Sequence, residues 1–299
     1  MAHLTSGVWA ASITPLDAAL EPRVDLLATH CDRLLDEGCA GVVVLGTTGE
    51  ANSFAVDERK HILTSLLGLG IDPEQVIVGT GCCAAADTIA LTKHALSLGV
   101  SRVLMLPPFY YKAPSEEGAF AAFARAIDGV GDERLRVYLY SIPQLSGVAI
   151  QPALVARLHA AYPRAVIGIK ESSGDTATVR ALCERFGDTL DVLAGNERDL
   201  GEMLAAGAAG CVSATANAYP SWIAAAYRRP HDRPLQARIN EARSLFERYP
   251  LIAALKSTEA ERSGDSTWRH LRPPLAPLPK EKAAELSTAF AQIASASAV

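Results

Sequence analysis

The sequence predicts an α/β fold, a parallel (β/α)8 barrel followed by a helical extension. Three observations carry this expectation. Short apolar, β-branched runs of strand length recur through residues 1–229, each followed by a stretch with helical periodicity. Their spacing is regular, with no linker and no low-complexity tract between them. Beyond Arg228-Arg229-Pro230 the strand signal stops and only helical periodicity remains. Eight strand–helix units suit a closed barrel rather than an open sheet. The expected organisation is a barrel over residues 1–229 and an extension packed on it over 230–299.

The first strand is read at residues 8–13, closed by Thr14-Pro15. Val24, Leu27, Cys31, Leu34 and Leu35 then share one helical face, and Gly38 suits a C-terminal cap. The second strand, 41–45, runs into Gly46-Thr47-Thr48-Gly49-Glu50 and a helix over roughly 56–69, with Glu50 near its start. Residues 76–78 precede an alanine-rich helix ending at Leu98-Gly99. Residues 102–106 lead through Pro107-Pro108 to a helix beginning near Ser115. Residues 135–140 lead through Ser141-Ile142-Pro143 to a helix from about Pro152. The sixth strand, 165–170, ends on Lys170 before Glu171-Ser172-Ser173-Gly174 and a helix over 175–186. Residues 190–193 lead to Gly195-Asn196-Glu197 and a short helix ending at Ala206-Gly207. The last unit pairs a strand at 210–213 with a helix at 221–227. In the extension, Leu235, Ile239, Ala242, Leu245, Phe246 and Tyr249 share a face, and the proline-rich stretch 273–277 sets apart the last of two or three helices.

In such a barrel the active site lies at the C-terminal ends of the strands. That rule brings Thr14, Thr47, Thr48, residues 107–111, Tyr140, Lys170, residues 195–197 and Ser213 to one rim. Lys170 is the only amine among them. It closes an apolar run, where poor solvation lowers an ammonium's pKa, and a partly neutral lysine attacks carbonyls to give a Schiff base. Tyr140 is the nearest acid or base for carrying protons to the forming carbinolamine, and Thr47 or Thr48 can pass the proton on. Gly46 and Gly49 free the backbone around both threonines to offer N–H groups to a carboxylate. The aromatic run Phe109-Tyr110-Tyr111 suits a subunit contact at least as well as a catalytic loop. Singly, each feature has an ordinary structural reading; their convergence on one rim favours the functional one.

Composition narrows the classes. Hydrophobic residues make up 49% and charged residues 20%, the balance of a soluble globular protein. A net charge of −5 gives no electrostatic footprint for nucleic acid. No apolar run reaches the roughly 18 residues of a membrane span. The N-terminus lacks the basic-then-apolar pattern of a signal peptide, so a cytoplasmic location is expected. Six scattered cysteines without a CxxC pair read as free thiols, with Cys82-Cys83 filling a strand–helix turn. None of the seven histidines has metal-ligand spacing, so no metal site is expected. Gly79-Thr80-Gly81-Cys82-Cys83-Ala84 matches a dinucleotide fingerprint, but residues 99–105 supply none of the acidic partner that fingerprint needs.

Gly7-Val8, Thr14-Pro15, the GTTGE stretch, Pro108-Phe109-Tyr110-Tyr111, Tyr140-x-x-Pro143 and Gly168-Ile169-Lys170-Glu171 together resemble the dihydrodipicolinate synthase and N-acetylneuraminate lyase superfamily of pyruvate-dependent class I aldolases. The resemblance covers nearly the whole chain. It implies a TIM barrel with C-terminal helices, assembled as a homotetramer of two tight dimers. It implies that Lys170 forms the imine with pyruvate or another 2-oxo acid, without metal or organic cofactor. Tyr140 becomes the proton donor and acceptor, linked through Thr47 to a tyrosine of the dimer partner, Tyr110 in preference to Tyr111. Backbone groups of Thr47 and Thr48 hold the pyruvyl carboxylate. Further substrate contacts are expected from Tyr111, Leu145, Gly195, Glu197 and Ser213.

Two departures bear on the substrate. The synthases carry an arginine two residues after the proline of Tyr-Asn-x-Pro, to bind the carboxylate of aspartate semialdehyde; here that position is Leu145. Losing such a contact forfeits roughly 1.5–3 kcal/mol. Where the neuraminate lyases show an Asp-Glu pair for the sugar polyol, this chain has Glu197-Arg198, so sialic acid itself is not the expected substrate. The expectation is a Schiff-base lyase or aldolase joining pyruvate and an aldehyde, acting on a 3-deoxy-2-oxo sugar acid. The alternatives are a dihydrodipicolinate synthase, a 2-oxo acid dehydratase, or a barrel that binds 2-oxo acids without turnover.

Overall fold

Each of the eight apolar runs forms a strand in the structure, a computed structural model that describes residues 5–296. The strands are β1 (Gly7–Ala11), β2 (Gly41–Val44), β3 (Val76–Gly79), β4 (Arg102–Met105), β5 (Arg136–Ser141), β6 (Val166–Glu171), β7 (Asp191–Ala194) and β8 (Gly210–Ser213). All neighbours pair parallel in sequence order, and β8 returns to β1 to close the barrel. Apart from Arg102 and Arg136, every residue of the eight strands is buried, on the inner and the outer face alike. Burial on both sides is why these strands read as continuous apolar runs rather than alternating ones.

Inside the barrel, Trp9, Val43, Ile77, Leu104, Tyr138 and Leu193 form a packed plug. Two glycines make room for its aromatics: a Cβ on Gly41 would lie 2.2 Å from the Trp9 ring, and one on Gly168 would lie 2.5 Å from Tyr138. The Tyr138 hydroxyl donates to Asp191 Oδ2 at 2.7 Å, and the Thr5 N–H donates to the same oxygen at 2.8 Å. The plug therefore closes the barrel below the rim and leaves chemistry to the other end.

Outside run α1 (Val24–Asp36), α2 (Val56–Gly68), α3 (Ala85–Ser97), α4 (Glu116–Val130), a short α5 (Pro143–Ser146), α6 (Pro152–Ala161), α7 (Thr176–Phe186), α8 (Leu200–Ala205) and α9 (Pro220–Arg228). On α1 the buried face is Val24, Leu27, Cys31 and Leu34, with Leu35 packed at its edge, as the periodicity predicts. The short α5 has no counterpart in the sequence reading; four residues are too few to show a period. The extension has three helices, α10 (Arg233–Phe246), α11 (Leu251–Ser263) and α12 (Lys280–Ser295).

The extension is tied to the barrel by charge as well as by packing. Lys256 on α11 and Glu50 in the β2 turn form an ion pair in which both side chains are fully buried. Lys256 Nζ also donates to the His270 carbonyl at 2.6 Å. Arg272 grips Glu58 with both terminal nitrogens, at 3.0 and 2.6 Å.

Cys31, Cys39, Cys183 and Cys211 are buried free thiols. Burial pushes Cys31 and Cys39 up to about 12 and Cys183 to about 11, far from a reactive thiolate. Cys82 and Cys83 differ from the expected pair of turn fillers. Cys82 is half-buried against Arg59, whose Nη1 donates to its sulfur at 3.1 Å, while Cys83 is exposed. The fingerprint-like glycines beside them serve packing. A Cβ on Gly79 would meet the Leu45 carbonyl oxygen at 2.1 Å, and one on Gly81 the Leu106 nitrogen at 2.3 Å.

Candidate active site

The position of Lys170 depends on an irregularity in the β5–β6 ladder. Val137 pairs with Val166, but Tyr138 pairs with Gly168, so Ile167 is an extra residue. The offset then carries through to Tyr140 opposite Lys170. Without the bulge Tyr140 would face Ile169, and the lysine would fall on the outer face of the barrel. Bulges re-aim side chains beside active sites in this way.

Lys170 is 5% exposed and its Nζ lies 4.3 Å from the centre of the Tyr140 ring. No carboxylate pairs with Lys170 among the described residues, although a buried cation ordinarily requires one. The Tyr140 side chain is buried, and its hydroxyl lies 3.2 Å from Thr47 Oγ1. An amine, a phenol and an alcohol are thus gathered from β6, β5 and the β2 turn.

The β2 turn is tightly held. Thr14 Oγ1 donates to the Gly49 carbonyl at 2.9 Å, and a Cβ on Gly49 would lie 3.0 Å from the Ser12 carbonyl. Left-handed backbone falls on Leu45 (φ 53°) and Glu50 (φ 58°), not on the two glycines. Non-glycine residues in that region are strained, and the Glu50–Lys256 pair clamps one of them. Neither the Thr47 nor the Thr48 N–H has a hydrogen-bond partner among the described residues. The turn so presents two unused donors.

These groups line a cavity of about 460 Å³. Its inner wall comes from the barrel: Ala11, Thr47, Thr48, Tyr140, Lys170 and Val212. Ser172, Gly195 and Asn196 continue that wall upward, and a Cβ on Gly195 would lie 2.0 Å from Ser172 Oγ. Leu145, 62% exposed, stands at the opening. The outer wall comes from the extension, with Arg243 of α10, Glu247 at its C-terminal cap, Leu251 of α11 and Leu275 of the proline-rich stretch.

Several predicted residues lie outside the cavity lining. Glu197 and Ser213, expected to contact substrate, are fully buried and do not line the cavity. The cause is a set of internal partners: Glu197 accepts from Ser213 Oγ at 2.7 Å, from Tyr219 at 2.9 Å and from Thr215. Tyr110 and Tyr111 are 74% and 79% exposed and stack edge to face, outside the cavity of their own chain. Sequence reasoning placed Asn196 on the rim with its neighbours but missed Ser172, Arg243 and Glu247. Ser172 sits in a strand-end turn and was within reach of the rim rule; Arg243 and Glu247, at the end of α10, gave no signal of their own.

Among the described residues no helix is long and apolar enough to cross a membrane. A closed barrel whose rim cavity holds a buried lysine, with no counter-ion among the described residues, has the layout of a lyase of the class I aldolase type. Comparison with known proteins gives the lineage: the chain belongs to the dihydrodipicolinate synthetase family, whose model matches residues 4–293. It is 36% identical over 292 residues to an "Uncharacterized DapA-like lyase" of Chloroflexus aurantiacus, covering 96% of each chain. Among solved structures, dihydrodipicolinate synthase from Agrobacterium tumefaciens superposes with a TM-score of 0.91 at 31% identity, covering 97% of this chain and 99% of that one. YagE, a prophage protein of the dihydrodipicolinic acid synthase family from E. coli K12 solved in complex with pyruvate, gives 0.87 at 26% identity, with coverage of 97% and 99%. Enzymes of the family act on small 2-oxo acids and need no cofactor beyond the Schiff base formed with substrate.

Proposed function

We propose that this lyase holds a 2-oxo acid as an imine on Lys170 and breaks or forms the C3–C4 bond of a 3-deoxy-2-oxo sugar acid. The carrying observation is the Lys170 amine, without a carboxylate partner among the described residues and 4.3 Å from the Tyr140 ring, in a cavity lined also by Thr47 and Thr48, whose N–H groups have no partner among those residues. The carboxylate of the 2-oxo acid sits against the Thr47 and Thr48 N–H groups, with Gly195 opposite. Lys170 Nζ attacks C2, and Tyr140 protonates the carbinolamine hydroxyl so that one water leaves and the imine forms. In cleavage, a base takes the proton of the C4 hydroxyl, the C3–C4 electrons move into the iminium, and an aldehyde departs from the enamine. Protonation at C3 and addition of one water then release pyruvate and restore the amine.

Thr47 passes protons between Tyr140 and a tyrosine from a second copy of the chain. Tyr110 is that tyrosine, with Tyr111 beside it; both are too exposed in one chain to act on their own cavity. This part of the reading takes the enzyme to be a cytoplasmic homotetramer, a dimer of dimers. For the acceptor, Leu145 stands where a carboxylate-bearing aldehyde would need an arginine, which favours an uncharged polyol over aspartate semialdehyde.

The test is a substrate panel with pyruvate release as the readout. Cleavage of a 3-deoxy-2-oxo aldonic acid, with a polyol aldehyde as co-product, supports the proposal. Efficient condensation of pyruvate with aspartate semialdehyde and no cleavage of the panel would replace it with the synthase reading. Loss of water with the carbon chain intact would replace it with a dehydratase.

A further inference from the structure

We propose that Arg243 on helix α10 of the extension and Glu247 at its C-terminal cap are the specificity-determining contacts for hydroxyl groups on the aldehyde half of the substrate. The inference rests on the lyase reading above and adds which residues read the acceptor. Arg243 is 9% exposed and lines the cavity, yet among the described residues its Nη1 makes no hydrogen bond. Its Nε donates to Glu247 Oε1 at 2.8 Å. Glu247 Oε2 accepts from Arg198 Nη2 at 2.5 Å. On the other side Glu197 Oε2 lies 3.5 Å from Arg243 Nη1, but that carboxylate is already engaged by Ser213, Thr215 and Tyr219.

The row Glu197, Arg243, Glu247, Arg198 alternates in sign and is formally neutral. That balance decides between two classes of ligand. An entering carboxylate would bring an uncompensated negative charge beside two carboxylates already present. A hydroxyl adds no charge: it accepts from Nη1 and donates its own proton to a free lone pair of Glu247. A second observation points the same way. Ser172, also on the cavity wall, has a buried Oγ with no hydrogen-bond partner among the described residues. Buried groups left unpaired select for a ligand that pairs them, and a site built to bond a hydroxyl rejects the analogue that lacks it.

The experiment compares the wild-type full chain with Glu247→Gln and Arg243→Lys, the latter keeping the charge beside Glu197. Two substrates are cleaved with pyruvate release as readout: a six-carbon 3-deoxy-2-oxo aldonic acid, and 4-hydroxy-2-oxopentanoate, which carries no hydroxyl beyond C4. Borohydride trapping of pyruvate on the protein reports the inner half of the site. The expected result is a fall of about ten- to a hundredfold in kcat/KM for the aldonic acid, mostly in KM, in each variant. The short substrate and the trapping rate stay within about twofold of wild type. Equal losses on both substrates would show a merely structural role and overturn the inference, as would no loss on either. A larger loss in condensation of pyruvate with aspartate semialdehyde than in aldonic acid cleavage would also overturn it, because the pair would then read a carboxylate. If the wild-type enzyme cleaves no polyol acid, the substrate class proposed above falls and takes this inference with it; if it does and only the variants fail to discriminate, the inference falls alone.

Discussion

The two ends of the cavity are built on different physical terms. The inner end is strand-borne and largely apolar, with one amine, one phenol and two threonines held among side chains such as Ala11 and Val212. The outer end is helix- and loop-borne and is backed by a compensated row of charges, Arg243 and Glu247 from the end of α10 with Glu197 and Arg198 from the turn after β7. The inner groups are set by the barrel ladder and the β2 turn, so their geometry follows from the elements every strand needs to close the ring. The outer groups come from an appended segment whose sequence can change without disturbing that ring. The contrast teaches that bond chemistry and acceptor choice are separable here, and mutations should separate them.

The sharpest break of the inner end short of the lysine is Tyr140→Phe. It leaves the ring under Lys170 Nζ but removes the hydroxyl 3.2 Å from Thr47. Turnover should fall about 10²–10³-fold, or roughly 3–4 kcal/mol in the barrier, measured as kcat under saturating substrate. KM for pyruvate should change little, since the carboxylate contacts remain.

The joint between the two ends is the buried Glu50–Lys256 pair. Lys256→Met leaves Glu50 as an uncompensated buried charge and should cost about 3 kcal/mol, read as a Tm drop of about 6 °C. The double variant Glu50→Gln with Lys256→Met should recover part of that loss. Activity should suffer in the single variant as well, because Glu50 anchors the strained turn that carries Thr47 and Thr48.

A third variant acts where the extension grips the barrel from behind. Glu259 on α11 is buried, 3.3 Å from His30 on α1 and within 3.2 Å of Arg33. Burial alone would raise its carboxyl, but hydrogen bonds from Arg262 and His30 and the charge of Arg33 outweigh that and bring it down to about 2. A lowered carboxyl contributes stability that is fully present above its unfolded value and is lost as pH falls through the folded one. That contribution is roughly 2–3 kcal/mol at neutral pH. Glu259→Gln should lower Tm by about 5 °C at pH 7, and the gap to wild type should close between about pH 5 and pH 2.

The smallest effect tests the outer end. Leu145→Arg should improve KM for aspartate semialdehyde by about tenfold, the worth of one charge-assisted contact, and leave pyruvate trapping unchanged. An unchanged KM would place the acceptor away from α5.

The sequence made the inner end legible and the outer end largely opaque. Buried parallel strands announce themselves as apolar runs, and the rim rule then finds Lys170, Tyr140 and Thr47 without knowledge of side-chain contacts. The same rule could not show that Glu197 and Ser213 turn away from the cavity lining, because a strand end fixes a backbone position but not where a carboxylate finds its partners. Glu197 found Tyr219 and Thr215 inside the wall. The bulge at Ile167 leaves no mark in residue type, although it decides which face Lys170 takes. Arg243 and Glu247 read as an ordinary polar pair on an amphipathic helix, and their contact with the cavity depends on how α10 docks. The Glu50–Lys256 pair spans 206 residues, beyond the reach of any local pattern.

The most direct measurement is reductive trapping: incubate the enzyme with pyruvate and borohydride, digest it, and locate the modified lysine by peptide mass analysis. The account predicts a single adduct on Lys170, formed by wild type and lost in Lys170→Ala. No adduct, or one on another lysine with Lys170 unmodified, would contradict it.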